Sequence, residues 1–210
     1  MTPAAGTLPA FLPPGFADPA RDAQRAYRAV LSAFAHPARS YPLAGPAEPP
    51  AALGRGLAGV ALTLLDEACT VWLGRGLARD AGVCAWLAFH TGARRVDAAP
   101  AADFVIAAPD ALPPFASLAL GTDEAPHLSA LIVVDVRGCA GPACFTAQGP
   151  GIDGAVTLAA PWAPDGFADM WRHNTESFPR GVDLLLVDEH AVTAVPRTTR
   201  LAAAGQERED

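Results

Sequence analysis

The sequence predicts an α/β fold in which a mixed β-sheet is flanked by helices. Helix-like and strand-like apolar patterns alternate along the chain, as they do in α/β proteins. Short runs that are almost entirely apolar, at 129–136 and 182–187, are typical of buried strands. Turn signals at 138–142 and 188–190 indicate antiparallel pairs late in the chain. With 210 residues, 51% of them hydrophobic, the chain is expected to form one domain over 1–210.

The first helix is predicted to begin at Asp18, because aspartate caps helices well and Pro19 suits the first helical position. It should end at His36, because the residue before Pro37 is biased away from helical geometry. Apolar residues recur between these ends with helical spacing and should face the core. They are Ala23, Ala26, Tyr27, Val30, Leu31 and Phe34.

The remaining elements follow from the same patterns. Helices are expected over about 50–65 and 79–90, a helical turn over 109–118, and strands over 67–73, 103–107, 129–136, 143–148, 182–187 and 191–195. Strand 143–148 is expected to lie antiparallel to strand 129–136 across the turn between them. Gly92 should cap the C-terminus of the helix before it. Asp165 is predicted to cap a last helix, whose inner face carries Phe167, Met170, Trp171, Asn174 and Phe178.

Composition excludes several classes of function. The net charge of −7, without any basic run, argues against a nucleic-acid partner. No apolar segment approaches the ~20 residues that span a bilayer, and the N-terminus lacks the pattern of a signal peptide. The protein is therefore expected in the cytoplasm, without a membrane partner. Residues 1–14, which are small and Pro-rich, and residues 203–210 are expected to be flexible tails.

The chain contains no lysine, and all 15 of its basic residues are arginine. Catalysis through a lysine Schiff base is therefore excluded, and so is the lysine of a phosphate loop. Recognition of a phosphate or a carboxylate would have to use arginine side chains or backbone N–H groups.

The sequence shows neither a metal site nor a complete catalytic site. Cys139 and Cys144 are closely spaced, but no second pair accompanies them, so reduced thiols are expected. The histidines are scattered, no pair of carboxylates is recognisable, and Ser129 lacks the flanking glycines of a nucleophile elbow. We therefore predict no catalytic residue, no metal and no cofactor.

Two further features are candidates for binding. The loop at Gly149, Pro150 and Gly151 follows a predicted strand, as a phosphate loop does, but no helix pattern follows it and Pro150 lacks an N–H donor. It is either a structural turn or the edge of a ligand site. Asn174, the only asparagine, lies on the apolar face of the last helix, where its amide needs partners. It either fixes the neighbouring loop through hydrogen bonds or contributes to binding.

Arg197, Thr198, Thr199 and Arg200 follow a predicted strand and a proline. Two arginines beside two hydroxyl groups could bind a phosphate-bearing ligand bidentately. The same residues could pair with acidic groups of a partner subunit, or they could form a solvated strand end. Asp183 opens an otherwise apolar strand, so its carboxylate is expected to be paired or to lie at the end of that strand.

Short motifs follow one another in a characteristic order between residues 15 and 201. They include Gly15-Phe16-x-Asp18-Pro19, Phe89-His90-Thr91-Gly92, Gly149-Pro150-Gly151-Ile152, Phe178-Pro179-x-Gly181-Val182-Asp183-Leu184 and Pro196-Arg197-Thr198-Thr199. In this order they resemble the PhnH family, a subunit of the bacterial carbon–phosphorus (C–P) lyase core complex. Ala38 stands where the resemblance leads us to expect glycine after Pro37.

The resemblance implies a fold like the large domain of pyridoxal-phosphate-dependent transferases, but without that cofactor. It also implies a homodimer that assembles with the subunits PhnG, PhnI and PhnJ. The expected function is an accessory or structural role in organic phosphonate catabolism. There, the complex forms alpha-D-ribose 1-methylphosphonate 5-triphosphate from ATP and methylphosphonate. Two alternatives remain open at this point: a phosphonate- or nucleotide-binding subunit that contributes directly to catalysis, and an unrelated homodimeric binding module.

Overall fold

Helices and strands alternate through the described part of the chain, residues 12–203 of a computed structural model. The α-helices are α1 (Pro19–Ala35), α2 (Gly54–Leu64), α3 (Arg75–Arg79), α4 (Ala81–Thr91) and α5 (Phe167–Glu176). The strands are β1 (Ser40–Pro42), β2 (Thr70–Leu73), β3 (Arg94–Arg95), β4 (Phe104–Ala107), β5 (Leu131–Asp135), β6 (Cys144–Gln148), β7 (Val156–Ala159), β8 (Asp183–Val187), β9 (Ala191–Val195) and β10 (Arg200–Ala203). Short 3-10 turns, not a longer helix, occupy the region predicted as a helical turn at 109–118.

A seven-stranded mixed sheet forms the centre of the molecule, in the order β1-β9-β8-β5-β4-β2-β3. Strands β3, β2, β4, β5 and β8 run parallel to one another, whereas β9 is antiparallel to β8 and β1 is antiparallel to β9. This arrangement confirms the predicted α/β class with a mixed sheet and the predicted β8–β9 hairpin. Crossing helices cover the faces of such a sheet, which explains why its central strands are apolar on both sides.

The prediction that β6 pairs with β5 is wrong. Strand β5 is hydrogen-bonded to β4 on one side and to β8 on the other, so no edge of β5 is left for β6. Strand β6 instead lies between β7 and β10 in a separate antiparallel sheet of three strands. Strands β1, β3, β7 and β10 were not predicted from the sequence, because they are only two to four residues long.

Two apolar cores lie on opposite faces of the central sheet. On one face, helices α1, α2 and α4 pack on Val71, Ile106 and Val133. On the other face, α5 and the three-stranded sheet pack on Val105 and Ile132. Alternate residues of each strand therefore serve different layers, as the period of two requires. Along residues 12–203, no helix is both long enough and apolar enough to cross a membrane.

Helix α1 begins as predicted, since the side chain of Asp18 accepts a hydrogen bond from the backbone N–H of Arg21 at 3.1 Å. Its predicted apolar face is wrong in part, because Tyr27 and Leu31 are 47% and 49% exposed. The helix makes its contacts with α2 and β9 mainly through small side chains, so the larger ones stay outside. The buried residues are Ala26, Ala29, Val30 and Ala33.

The last helix differs from its prediction at both ends. Gly166, with φ of 77°, precedes the first helical residue Phe167, and no side chain caps this end, so Asp165 is not the N-cap. Phe178 lies beyond the helix end and is 61% exposed, whereas Trp171 and Asn174 are buried as expected.

The predicted flexible tails need correction where the structure describes them. The carbonyl of Pro13 accepts a hydrogen bond from Trp86 Nε1 at 2.9 Å and lies 3.0 Å from His90 Nε2, which ties residues 12–14 to α4. Ala203 belongs to β10 and pairs with Phe145 of β6. The rest of the predicted tails, 1–11 and 204–210, lies outside the described residues.

Ala38 adopts a backbone conformation that favours glycine. Its φ is 63°, and among the described residues it is the only non-glycine residue with a positive φ. Its N–H donates to the carbonyl of Ala194 at 2.9 Å, which connects the end of α1 to β9. Because a side chain is strained in this region of φ, the glycine expected here from the family resemblance has a physical reason.

Candidate functional site

The predicted candidate Arg197 lies between the two sheets, in the turn at 196–199 that connects β9 to β10. Its Nε donates to Asp183 Oδ1 at 3.1 Å and its Nη2 donates to Asp183 Oδ2 at 2.6 Å, in a bidentate ion pair. Nη1 donates to the carbonyls of Pro126 and Pro179, and Nη2 also donates to Ser129 Oγ. The predicted pairing of Asp183 is thereby confirmed.

All five N–H groups of the Arg197 guanidinium are therefore engaged within the protein. The side chain is 11% exposed, so the interpretation of a solvated strand end is wrong for this residue. An anionic ligand could reach the guanidinium only by displacing Asp183 or a carbonyl. Through these hydrogen bonds, Arg197 connects the starts of β5 and β8 to the end of β9.

Asn174 fixes the loop that follows α5. Its Nδ2 donates to the carbonyl of Val182 at 2.9 Å, and its Oδ1 accepts from the N–H of Val182 at 2.8 Å. The amide thus pairs with one residue as a strand neighbour would. Gly181 makes this approach feasible, since a Cβ there would lie 2.8 Å from Asn174 Oδ1. The first of the two interpretations, a hydrogen-bonded asparagine that fixes the loop, is confirmed.

The turn at Thr198 and Thr199 meets the glycine loop. A Cβ on Gly149 would lie 2.8 Å from the carbonyl oxygen of Thr198, so only glycine allows this contact. The carbonyl of Thr199 accepts a hydrogen bond from Trp171 Nε1 at 2.8 Å. The Oγ1 of Thr199 is fully buried and has no hydrogen-bond partner among the described residues.

Gly151 contacts a different part of the molecule. Its φ is 82°, and a Cβ there would lie 2.4 Å from the carbonyl oxygen of Ala35, at the end of α1. The structure thus brings Gly149 together with Thr198 and Thr199, and links Asn174 to them through α5, but directs Gly151 toward α1. Their predicted role in ligand or partner binding stays a prediction.

A cleft that the sequence analysis missed lies at the carboxyl ends of the parallel strands. It encloses about 890 Å³ and is lined by residues from the ends of β2, β4 and β5, among them Trp72, Ala108 and Asp135. After β2 the chain crosses to the face that carries α4, and after β4 it crosses to the opposite face. Neighbouring strands whose connections leave in opposite directions form a crevice, and ligands of open α/β proteins bind in such crevices.

Arginine and glycine residues form one wall of this cleft. Arg75 and Arg79 both line it and are exposed, one turn apart on α3. Gly74 lets this segment lie against the end of β4, since a Cβ there would be 3.0 Å from the Cβ of Ala107. Within residues 12–203, neither Arg75 nor Arg79 takes part in an ion pair.

The acidic groups of the cleft are unequal. Asp135 is neutralised by Arg137, whose Nε and Nη2 donate to it at 2.8 and 2.7 Å. These hydrogen bonds, together with the charges of Asp135 and Glu189, raise the pKa of Arg137 further above its usual range. Asp110 is exposed at the rim of the cleft. The cleft therefore contains two arginines, Arg75 and Arg79, and one carboxylate, Asp110, that have no ion-pair partner among the described residues.

The sequence did contain a signal for this cleft. Gly74-Arg75-Gly76 follows strand β2 directly, so Gly149–Gly151 is not the only glycine-rich loop after a strand. The signal was missed because the helix after it is only five residues long, too short for a recognisable apolar period. Among the described residues, no cluster of three or more His, Cys, Asp or Glu side chains could hold a metal ion.

The fold and the cleft place the protein in a recognisable class. It is an open α/β protein whose parallel strands end in a crevice at the point where the connections reverse, and this class includes many proteins of small-molecule metabolism. The fold by itself does not specify a reaction, because one fold hosts many activities.

Comparison with known proteins identifies the family. The family model described as bacterial phosphonate metabolism protein (PhnH) matches residues 14–202. The chain is 40% identical over 187 residues to the alpha-D-ribose 1-methylphosphonate 5-triphosphate synthase subunit PhnH of Rhizobium meliloti (strain 1021), which covers 89% of the chain and 93% of that protein. It is 32% identical over 190 residues to the putative C-P lyase subunit protein HtxG of Stutzerimonas stutzeri, covering 87% of each. The chain belongs to the PhnH family.

Membership of this family removes one alternative. The family model extends through almost all of the described residues, from the segment before α1 to the last strand. The interpretation of an unrelated homodimeric binding module is therefore wrong.

Proposed function

We propose that the chain is a subunit of a C–P lyase core complex in organic phosphonate catabolism. In this proposal it supports, in an accessory or structural role, the formation of alpha-D-ribose 1-methylphosphonate 5-triphosphate from ATP and methylphosphonate. The observation that carries the proposal is the 40% identity, over 89% of the chain, to a protein that is named as a subunit of that synthase.

The proposal includes a homodimer and assembly with PhnG, PhnI and PhnJ subunits in the cytoplasm. Large apolar side chains on the surface support a chain that has protein partners, since exposed apolar groups that cluster mark interaction sites. The most exposed are Tyr27, Leu31, Phe89, Leu128 and Phe178. The two loops that carry Leu128 and Phe178 are joined by Arg197, whose Nη1 donates to the carbonyls of Pro126 and Pro179.

The proposal also includes a fold like the large domain of pyridoxal-phosphate-dependent transferases. The parallel strands and the helices on both faces of the sheet are compatible with it. The residues do not fit the cofactor itself, because a chain without lysine cannot hold pyridoxal phosphate as a Schiff base.

Co-purification tests the subunit role. The tagged chain, co-expressed with PhnG, PhnI and PhnJ from the same genome, is expected to recover all three from a cell extract. Recovery of none of them, from an extract in which all are expressed and the tagged chain is folded, would contradict the proposal.

A pair of variants tests whether the exposed apolar residues contribute. The double variant Leu128→Ser/Phe178→Ser is expected to reduce the recovery of a partner or the fraction of homodimer, measured by light scattering. Arg180→Ser is the matched control, because Arg180 is exposed on the same loop as Phe178 and, within residues 12–203, its ion pair is with the exposed Asp123 at 3.3 Å. Equal behaviour of both variants would exclude this surface from assembly.

One observation favours the second candidate function, a subunit that binds a phosphonate or a nucleotide. The cleft beside α3 presents arginines that are not paired within the described chain, as ligand binding requires. Of the two arginines where this function was predicted from the sequence, Arg197 has no unused guanidinium N–H, and Arg200 is exposed on β10 and does not line the cleft. A binding role is therefore better supported at the cleft than at the turn.

A further inference from the structure

The cleft at the carboxyl ends of β2, β4 and β5 has the dimensions of a small-molecule site. Its volume of about 890 Å³ lies within the ~300–1,000 Å³ of typical ligand pockets. An inorganic ion would fill only a small part of it. The three strand ends that line it belong to the rigid centre of the sheet, so its position does not depend on a long loop.

The charges around the cleft select an anion. Arg75 and Arg79 are one turn apart on α3, so their guanidinium groups can reach the same ligand group. Each can donate two parallel hydrogen bonds to a phosphate, which a lysine cannot do. Asp135 does not oppose them, because its carboxylate is bound by Arg137. Only Asp110, at the exposed rim, contributes an acidic group without such a partner among the described residues.

The remaining lining is suited to the uncharged part of a ligand. Trp72 is half-buried at the end of β2, and Leu73, Ala108 and Pro113 contribute further apolar surface. An aromatic side chain offers a flat surface on which a planar ring can stack. The cleft therefore combines a cationic wall with an apolar floor.

We propose that this cleft binds a phosphate- or phosphonate-bearing small molecule of nucleotide size, with Arg75 and Arg79 contacting its anionic group. The residues of this site are distinct from Arg197, Thr198, Thr199 and the Gly149–Gly151 loop. The proposal does not rest on the subunit role, because a chain that fails to recover partners can still bind a ligand in this cleft.

Isothermal titration of the full chain tests the ligand class, with ATP, tripolyphosphate, adenosine and citrate as probes. ATP and tripolyphosphate are expected to bind, and adenosine to bind at least about tenfold more weakly, because adenosine lacks the anionic group that the arginines contact. Citrate, whose carboxylates can also accept bidentate arginine contacts, tests whether the site prefers phosphate. No heat with ATP or tripolyphosphate overturns the proposal. Adenosine binding as tightly as ATP overturns the assignment of an anion, and citrate binding as tightly as tripolyphosphate overturns the assignment of phosphate.

Variants test the location. The double variant Arg75→Gln/Arg79→Gln is expected to weaken ATP binding by about tenfold or more, since two charge-assisted contacts are lost. Both side chains are exposed and unpaired within residues 12–203, so thermal unfolding should be unchanged. Unchanged affinity in this variant overturns the proposal.

Gly76 supplies a second test with a matched control. It lines the cleft, and a Cβ added there would have no atom of the described residues within 4 Å. Gly76→Glu places a carboxylate beside Arg75 and Arg79 and is expected to weaken ATP binding, whereas Gln24→Glu adds the same charge at an exposed position of α1 outside the cleft lining and is expected to retain it. Equal affinity of the two variants contradicts binding in this cleft, even where the double arginine variant cannot be purified.

Discussion

Two regions of the molecule use arginine and glycine residues beside strand ends in opposite ways. At the turn between β9 and β10, every guanidinium N–H of Arg197 is engaged by the protein itself. In the cleft beside α3, Arg75 and Arg79 face open space, without an ion pair among the described residues. The glycines differ likewise. A Cβ at Gly149 or Gly151 would clash with neighbouring backbone of the described chain, whereas a Cβ at Gly76 would not.

The difference shows that residue type near a strand end does not identify a binding site. An arginine whose donors are all satisfied contributes to stability and has little left for a ligand. An arginine on a cleft wall contributes little to stability, because exposed charges are well solvated. Variants of the two regions should therefore change different properties, folding in one and binding in the other.

The largest expected effect is at the Arg197 ion pair. Arg197→Met should lower the free energy of unfolding by about 3 kcal/mol, because it leaves the largely buried carboxylate of Asp183 without its cationic partner and only the backbone N–H of residue 197 as a donor. Urea unfolding measures this change. Arg172→Met is the control, since Arg172 pairs with Glu176 on the exposed side of α5 and its loss should cost far less than that of Arg197. Equal losses in the two variants would contradict the structural role of Arg197.

Asn174→Ala should destabilise the protein by about 2 kcal/mol, because the N–H and the carbonyl of Val182 both lose their buried partner. Gln24→Ala is the matched control on α1, where the amide is exposed and its loss should change stability by less than about 0.5 kcal/mol. Thermal unfolding of both variants checks the difference. A loss at Asn174 no greater than at Gln24 would show that the amide does not fix the loop.

The glycines of the two regions should respond differently to replacement by alanine. Gly151→Ala should cost about 1.5 kcal/mol, since φ of 82° and a Cβ contact of 2.4 Å to Ala35 O both oppose a side chain. Gly76→Ala should stabilise the protein by up to about 1 kcal/mol, because alanine is the better helix former and has room there. The melting temperatures of the two variants should therefore move in opposite directions.

Thr199→Val should leave stability unchanged or raise it by about 1 kcal/mol. The hydroxyl of Thr199 is buried without a partner among the described residues, so an isosteric methyl group removes a desolvation cost. Denaturant unfolding measures the change. A loss of more than about 1 kcal/mol would show that the hydroxyl has a partner and would favour a role of the turn in binding.

Local patterns predicted those elements whose signals lie within a few residues. The Asp18 cap, the Gly92 cap and the β8–β9 hairpin are confirmed, because capping and turn chemistry depend on neighbouring residues. The partner of β6 was predicted wrongly, because neighbours in the sequence were taken as neighbours in the sheet. Both edges of β5 were already occupied, and this is a property of the complete sheet.

The candidate sites show the same difference between features that depend on neighbouring residues and features that depend on the complete fold. The sequence indicated that Asn174 and Asp183 need partners, since a polar group among apolar residues must be satisfied. It could not indicate that Arg197 would be the partner of Asp183, or that Pro126, Ser129 and Pro179 would meet at one guanidinium. The motif Gly74-Arg75-Gly76 can be found in the sequence. The position of Arg75 and Arg79 beside a crevice cannot, because it depends on the connections after β2 and β4, which cross to opposite faces of the sheet.

The sequence by itself determined the α/β class, the exclusion of lysine chemistry and the membership of the PhnH family. Each of these depends on composition or on the order of residues along the chain. Only the tertiary structure decided which arginines are engaged and which are open. Whether a guanidinium is satisfied depends on carbonyls and carboxylates up to 71 residues away in the chain, as for Arg197 and Pro126, and folding alone brings these together.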